Sequence, residues 1–240
     1  MTITTASHRS DARRVIRDAM LDAAAVLLPV RCAGCSAPDR SLCADCTRAL
    51  EPDPLRHSVA GVPVWSSLDY SDVPRAVLLA YKDGGRVDAA GALARTLRPA
   101  LAAAARPADS ADRRVRDRRA GGAGVVPVLI PSTRAAWRRR GYHPTGMVLA
   151  RSRVLAPPLW RALRLTRQTA DQAALGSAAR AGNRAGSMVA SRRLRGRRCV
   201  IVDDIVTSGA TIAEAARAIT AAGGSVCGAA TIARTRLRGR

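Results

Sequence analysis

Two groups of residues in this chain have types and spacings that could do chemistry. The first is Asp203-Asp204, followed after two apolar residues by Thr207-Ser208-Gly209-Ala210-Thr211. Carboxylates accept hydrogen bonds from sugar hydroxyls and attract hard divalent cations. A loop of small residues that opens a helix offers free backbone N–H groups and a positive helix end, which suit an anion. Hydroxyl acceptors beside a phosphate cradle read as a site for a ribose phosphate. Two acids alone would fit a solvated strand end with a helix cap; the whole string is more specific than either half. The second group is Cys32-x2-Cys35-x7-Cys43-x2-Cys46. Each Cys-x2-Cys places two thiolates on one tight turn, and four thiolates complete a tetrahedral Zn²⁺ shell with no open position, a structural site. Two disulfides and an iron–sulfur centre are the rival readings of the same spacing. His57 reads as a surface residue, and Cys199 and Cys227 as buried apolar side chains.

The elements that must position these groups follow from pattern. Cys199-Val200-Ile201-Val202 is an unbroken, β-branched-rich run, as expected of a strand buried on both faces of a parallel sheet. The two acids end that run. Ile212, Ala215, Ala216 and Ile219 then repeat at helical spacing up to the stop signal Gly223-Gly224. Upstream, a helix is expected over 11–28 and one or two strands over 59–70, broken at Gly61 and Pro63. A helix starts at Pro74, and a long Ala/Leu helix over 87–105 should bend or split at Pro99. A strand follows over 125–130, then Pro131-Ser132-Thr133-Arg134 and the basic run Trp137 to Arg140. A helix is expected over 145–155, a strand over 159–165, and a final strand over 225–232. Residues 106–124 lack periodicity and read as a mobile loop or insertion, and 166–188 reads as a mobile polar loop over a site. The alternation of strand and helix over 125–232 indicates an α/β fold: a parallel sheet covered by helices on both faces. Three regions result: a tail and helix over 1–28, the cysteine knuckle over 29–57, and the α/β domain over 58–240.

Composition limits the partners. The chain has 240 residues, with Lys+Arg 40 against Asp+Glu 18 and a net charge of +22. Lys82 is the sole lysine. Such a charge favours phosphorylated or polyanionic partners, or else is a solvated basic surface. There is no Phe, and only three Trp and three Tyr, too few for a dedicated single-strand binder. No P-loop and no Gly-x-Gly-x-x-Gly is present, which excludes a motor or a dinucleotide site on those motifs. No run is long enough to span a membrane and no secretory signal is evident, so the chain reads as cytoplasmic.

The run Cys199 to Thr211 resembles the phosphoribosyl-diphosphate (PRPP) motif of type I phosphoribosyltransferases. By that resemblance Asp203 and Asp204 contact the ribose hydroxyls, and the backbone of Thr207, Ser208, Gly209, Ala210 and Thr211 holds the 5′-phosphate. The knuckle first and this motif last resemble the ComF family of competence-associated proteins. Further landmarks are Tyr81-Lys82-Asp83-Gly84-Gly85-Arg86, Val126-Pro127-Val128, Arg140-Gly141-Tyr142, and Arg167, Thr169, Gln172, Leu175, Arg180 and Asn183. His143-Pro144 departs from the family's Asn-Gln. The resemblance implies a type I phosphoribosyltransferase-like sheet with Zn²⁺ in the knuckle and Mg²⁺ accompanying PRPP or a nucleotide. It implies a diphosphate loop at Pro131, Ser132, Thr133 and Arg134, with Arg138 to Arg140 as charge partners. The implied reaction transfers phosphoribosyl to a nitrogenous acceptor. The alternative it carries is a non-catalytic role in DNA uptake or processing, with single-stranded DNA and a helicase-like partner.

Overall fold

The computed structural model describes residues 30–106, 124–159, 161–166 and 186–236. The helix expected over 11–28, nearly all of the 106–124 insertion, and the landmarks Arg167, Thr169, Gln172, Leu175, Arg180 and Asn183 lie outside them.

The described elements, in chain order, are α1 (Ala44–Arg48), β1 (Leu55–Val59), β2 (Val62–Asp69), α2 (Asp72–Lys82), α3 (Ala90–Ala105), β3 (Val126–Leu129), α4 (Arg134–Arg140), α5 (Pro144–Ser152), β4 (Leu163–Leu165), β5 (Met188–Ala190), β6 (Arg198–Val206), α6 (Ala210–Ala221) and β7 (Ser225–Arg234). Short 3-10 turns precede α3 and β6. Five strands form one sheet in the order β1-β2-β7-β6-β3. Four of them run parallel, and β1 closes one edge antiparallel to β2. β4 and β5 form a separate antiparallel pair.

Strand alternation assigns each face its layer. Val200, Val202, Ala230 and Ile232 pack against Val77 and Leu78 of α2, Leu93 and Leu97 of α3, and Val148 and Leu149 of α5. Cys199, Ile201 and Ala229 face the other way, onto Ile212, Ala215 and Ile219 of α6 and onto the β4–β5 pair. This is the parallel α/β sheet with helices on both faces that the alternation of elements demands.

Several expectations need correction. The β6 strand does not end at Val202 but runs through both acids to Val206. Its ladder with β7 continues to Asp203–Thr231 and Ile205–Ala233, and those backbone pairs hold the strand extended past its apolar run. The 159–165 strand shrinks to β4 and joins the small pair, not the main sheet. α3 runs unbroken through Pro99. Leu93, Leu97 and Leu101 are fully buried, and about 1.5–3 kcal/mol from each outweighs the roughly 3 kcal/mol cost of an interior proline. His57 is not a surface residue. It lies in β1, half-buried, with Nδ1 enclosed and without a hydrogen-bond partner.

One length difference shapes the site. β3 stops at Leu129, paired with Val202, whereas β6 continues to Val206. Past Leu129 the sheet therefore has a notch at its carboxyl edge, where open α/β sheets bind ligands.

Candidate functional site

The knuckle is built by two turns and a short helix. The ligand atoms of Cys32, Cys35, Cys43 and Cys46 all lie within 4.8 Å of one another. Cys35 Sγ and Cys43 Sγ are 3.7 Å apart. A tetrahedral ion with metal–sulfur bonds of about 2.3 Å needs sulfurs about 3.8 Å apart. The four side chains thus fit a single four-coordinate ion. Backbone amides already point at the sulfurs: Gly34 and Cys43 N–H donate to Cys32 Sγ, and Cys46 N–H donates to Cys43 Sγ, each at 3.4 Å. Burial works to raise the Cys32 thiol, but the backbone amides of Cys35, Cys43 and Gly34 outweigh it and bring it down to about 6. Burial and the neighbouring thiols push Cys46 up, so without an ion the four sulfurs share fewer than four negative charges. Gly34 is needed here. A Cβ on it would stand 2.6 Å from Cys46 Sγ and 3.1 Å from Val73 of α2.

The knuckle is docked, not loose. Arg86 donates to the carbonyls of Arg31 (2.5 Å) and Ser41 (3.4 Å) while pairing with Asp88 at 2.7 Å. Thr96 Oγ1 on α3 donates to Leu50 O at 2.7 Å. The same helical layer that packs on the sheet thereby holds the knuckle.

At the notch lies a solvent-open cleft of about 190 Å³. It is lined by Asp203 and Asp204 from β6, the loop Ile130 to Thr133, Ala136 and Arg140 of α4, His143 to Thr145 at the start of α5, and Lys82 at the end of α2. Where β3 gives out, the carboxylates take over backbone amides. Ile130 N–H reaches Val202 O at 3.4 Å. Next, Asp203 Oδ1 accepts from Asp204 N–H and Asp204 Oδ1 from Ile205 N–H, both at 2.9 Å. Asp204 Oδ2 pairs with Lys82 Nζ at 2.5 Å. Burial, and then the neighbouring Asp204 charge, push the Asp203 carboxyl well above the usual carboxylate range.

His143 sets the mouth of the cleft. Its Nδ1 accepts from Gly146 N–H at 3.1 Å, capping α5, so Nε2 carries the proton and donates to Ile130 O at 2.9 Å. Burial pushes the ring below its ordinary value, which agrees with this neutral tautomer. The departure at this position is thus a brace between the loop after β3 and α5. The end of α2 is clamped to the same corner. Tyr81 O–H donates to Pro144 O and Tyr142 O–H to Tyr81 O, both at 2.8 Å. Arg139 and Arg140 pair with Asp83 at 3.1 and 2.8 Å.

Of the residues singled out by sequence, Asp203, Asp204, Pro131, Ser132 and Thr133 come together in this cleft. Arg134 does not line it; it stands exposed at the start of α4, whose N-cap is Thr133. Thr207, Ser208, Gly209, Ala210 and Thr211 do not line it either. They follow β6 directly and open α6, with Gly209 as N-cap at φ 77°. Ser208 Oγ accepts from Ala210 N–H at 3.4 Å. Arg140, expected as a charge partner of the Pro131 to Arg134 loop, lines the cleft, and Lys82, His143 and Thr145 are cleft residues that the sequence does not mark as site residues. For Lys82 the available signal was its status as the sole lysine.

Comparison with known families places a domain on this geometry. Residues 148–239 match the phosphoribosyl transferase domain. The matched segment holds β6, both acids, the Thr207 to Thr211 loop, α6 and β7. It leaves the knuckle, Lys82 and the loop after β3 outside. No curated protein matches the chain. No helix among the described residues is long and apolar enough to cross a membrane.

Proposed function

We infer that the cleft binds PRPP with Mg²⁺, and that the chain is a ComF-like phosphoribosyltransferase-fold protein transferring phosphoribosyl to a nitrogenous acceptor. One observation carries this reading: adjacent carboxylates on β6 meet the Pro131 to Thr133 loop across the notch left by β3. The phosphoribosyl transferase match over 148–239 supports it. In this reading Asp203 and Asp204 hold the ribose hydroxyls, and the backbone from Thr207 to Thr211 holds the 5′-phosphate. The loop Pro131 to Thr133, with Arg140, faces the diphosphate. Bound magnesium would supply charge neutralisation for the diphosphate as it departs. The chain's own part is to position the sugar and hold a fixed field of donors around developing charge. The knuckle carries structural Zn²⁺.

A second reading, an interaction protein acting on DNA, draws on α4. Arg134, Trp137 and Arg138 share one face of that helix by their i, i+3, i+4 spacing, and Trp137 is 41% exposed. Guanidinium groups flanking an exposed indole suit a nucleic-acid strand.

Calorimetric titration with PRPP and Mg²⁺ tests both. Wild type should bind, and the Asp203→Asn/Asp204→Asn double variant should lose at least about tenfold in affinity. Absence of wild-type binding would overturn the first reading. DNA binding that survives the double substitution and falls steeply with salt would favour the second.

A further inference from the structure

Lys82 occupies an unusual position. It is the chain's sole lysine, and it lines the cleft with its ammonium on Asp204. Its neighbours are fixed by the Tyr81–Pro144 and Tyr142–Tyr81 hydrogen bonds and by the Asp83 pairs with Arg139 and Arg140. The backbone is therefore held, and the flexible four-carbon stem is the part that can move. Both oxygens of Asp204 are already engaged: Oδ1 takes the Ile205 amide and Oδ2 takes the Lys82 ammonium. While that ammonium stays, its charge repels a cation from Oδ2, and a hydroxyl must compete for the remaining lone pair. On the other side of the cleft stand Ser132, Thr133 and Arg140, whose Nε is buried without a hydrogen-bond partner. A buried orphan donor costs free energy until an acceptor arrives, so this wall is suited to an anionic oxygen.

We propose that Lys82 is a positioning residue that neutralises Asp204 in the unliganded cleft and exchanges it for the ligand's diphosphate when a divalent cation or ribose hydroxyl takes Asp204. The proposal rests on the PRPP reading of the cleft and adds the exchange to it. The unliganded state needs the ammonium because two adjacent, partly desolvated carboxylates repel one another. The liganded state needs a cation near the leaving group as negative charge collects there. One side chain serves both states. Lysine suits this better than arginine: an ammonium is a compact point charge on a rotatable stem, whereas a guanidinium is held by its planar two-pronged geometry.

The test uses the full chain as wild type, Lys82→Met and Lys82→Arg. Mn²⁺ alone is titrated by electron paramagnetic resonance, and inorganic diphosphate alone by calorimetry. Both run in about 0.5 M KCl, where charges more than a few ångströms apart are screened. Lys82→Met should bind Mn²⁺ at least about tenfold tighter and diphosphate at least about tenfold weaker, since close charge contacts of this kind exceed that factor. Lys82→Arg should bind Mn²⁺ no tighter than wild type, and diphosphate more weakly than wild type but no more weakly than Lys82→Met. In Lys82→Met, affinities that both move the same way, or do not move, overturn the exchange. Lys82→Gln replaces the methionine variant if that one loses its cooperative melt. Wild type is titrated with PRPP and Mg²⁺ in parallel. Opposed shifts without PRPP binding remove the PRPP reading and leave the exchange at Asp204. PRPP binding without opposed shifts removes the exchange and leaves the PRPP reading.

Discussion

Asp203 carries the cost of the site. Its carboxyl is raised by burial first and by Asp204 second, so its folded value lies above its unfolded one. Stability from such a group is fully present below the ordinary carboxylate value near pH 4 and is lost as pH rises through the folded value. Between the two values the unfolded chain ionises more readily than the folded one, and that difference opposes folding. Asp203→Asn removes that burden. Without ligand, the variant should melt a few degrees above wild type at pH 7–8, with the gap closing as pH falls toward 4. Thermal melts across that range measure it. A variant less stable than wild type at pH 8 would show that hydrogen bonding to the Asp204 amide, not charge burial, dominates at this position.

At the scale of elements, β6, its loop and α6 were legible because their signals are contiguous. An apolar run, two acids, small residues and a helical repeat follow one another without a tertiary partner being needed to interpret them. The cleft's other wall is legible only in part. Pro131 to Thr133 and Arg140 follow from the family resemblance, whereas Lys82, His143 and Thr145 come from segments far away in sequence, and only the sheet order and the short β3 bring them to Asp204. α4 was read as a basic run, since it buries no residue and so shows no apolar stripe. Its order comes from the Thr133 cap and the Asp83 clamp. The strand end is not legible, because two polar side chains look like a terminus while the pairing of β6 with β7 persists past them. The loop after β6 has its own constraint. Gly209 sits at φ 77°, and a Cβ there would stand 2.4 Å from Val59 Cγ1 of the β1–β2 hairpin. Gly209→Ala should cost about 2–4 kcal/mol, part from the left-handed backbone and part from the collision. Adding Val59→Ala should recover only the second part, which denaturant melts of the double-mutant cycle would resolve.

Over the whole molecule, the knuckle and the cleft are joined through the helical layer. Gly34 packs beside Val73 of α2, Arg86 grips the carbonyls of Arg31 and Ser41, and α2 ends at Lys82. Stripping the metal with a chelator should therefore loosen more than the knuckle. The melt should drop by about 5–10 °C, the size of a loss of about 2–3 kcal/mol in a chain of this length. Hydrogen exchange should rise over 30–50 and 72–89 while β6, α6 and β7 stay protected. Exchange confined to 30–50 would mean that the knuckle is tethered without supporting α2.

The lone ammonium in the cleft has a further consequence, for reagent chemistry. Every other basic side chain in these 240 residues is an arginine or one of three histidines. Apart from an α-amino group, an amine-selective reagent has one side chain to modify, and that side chain lies 2.5 Å from Asp204. Acylation or reductive alkylation would add a single increment to the intact mass, and anything seated in the cleft would slow it. Occupancy of the cleft can thus be read as a labelling ratio, with no turnover needed and no acceptor known in advance.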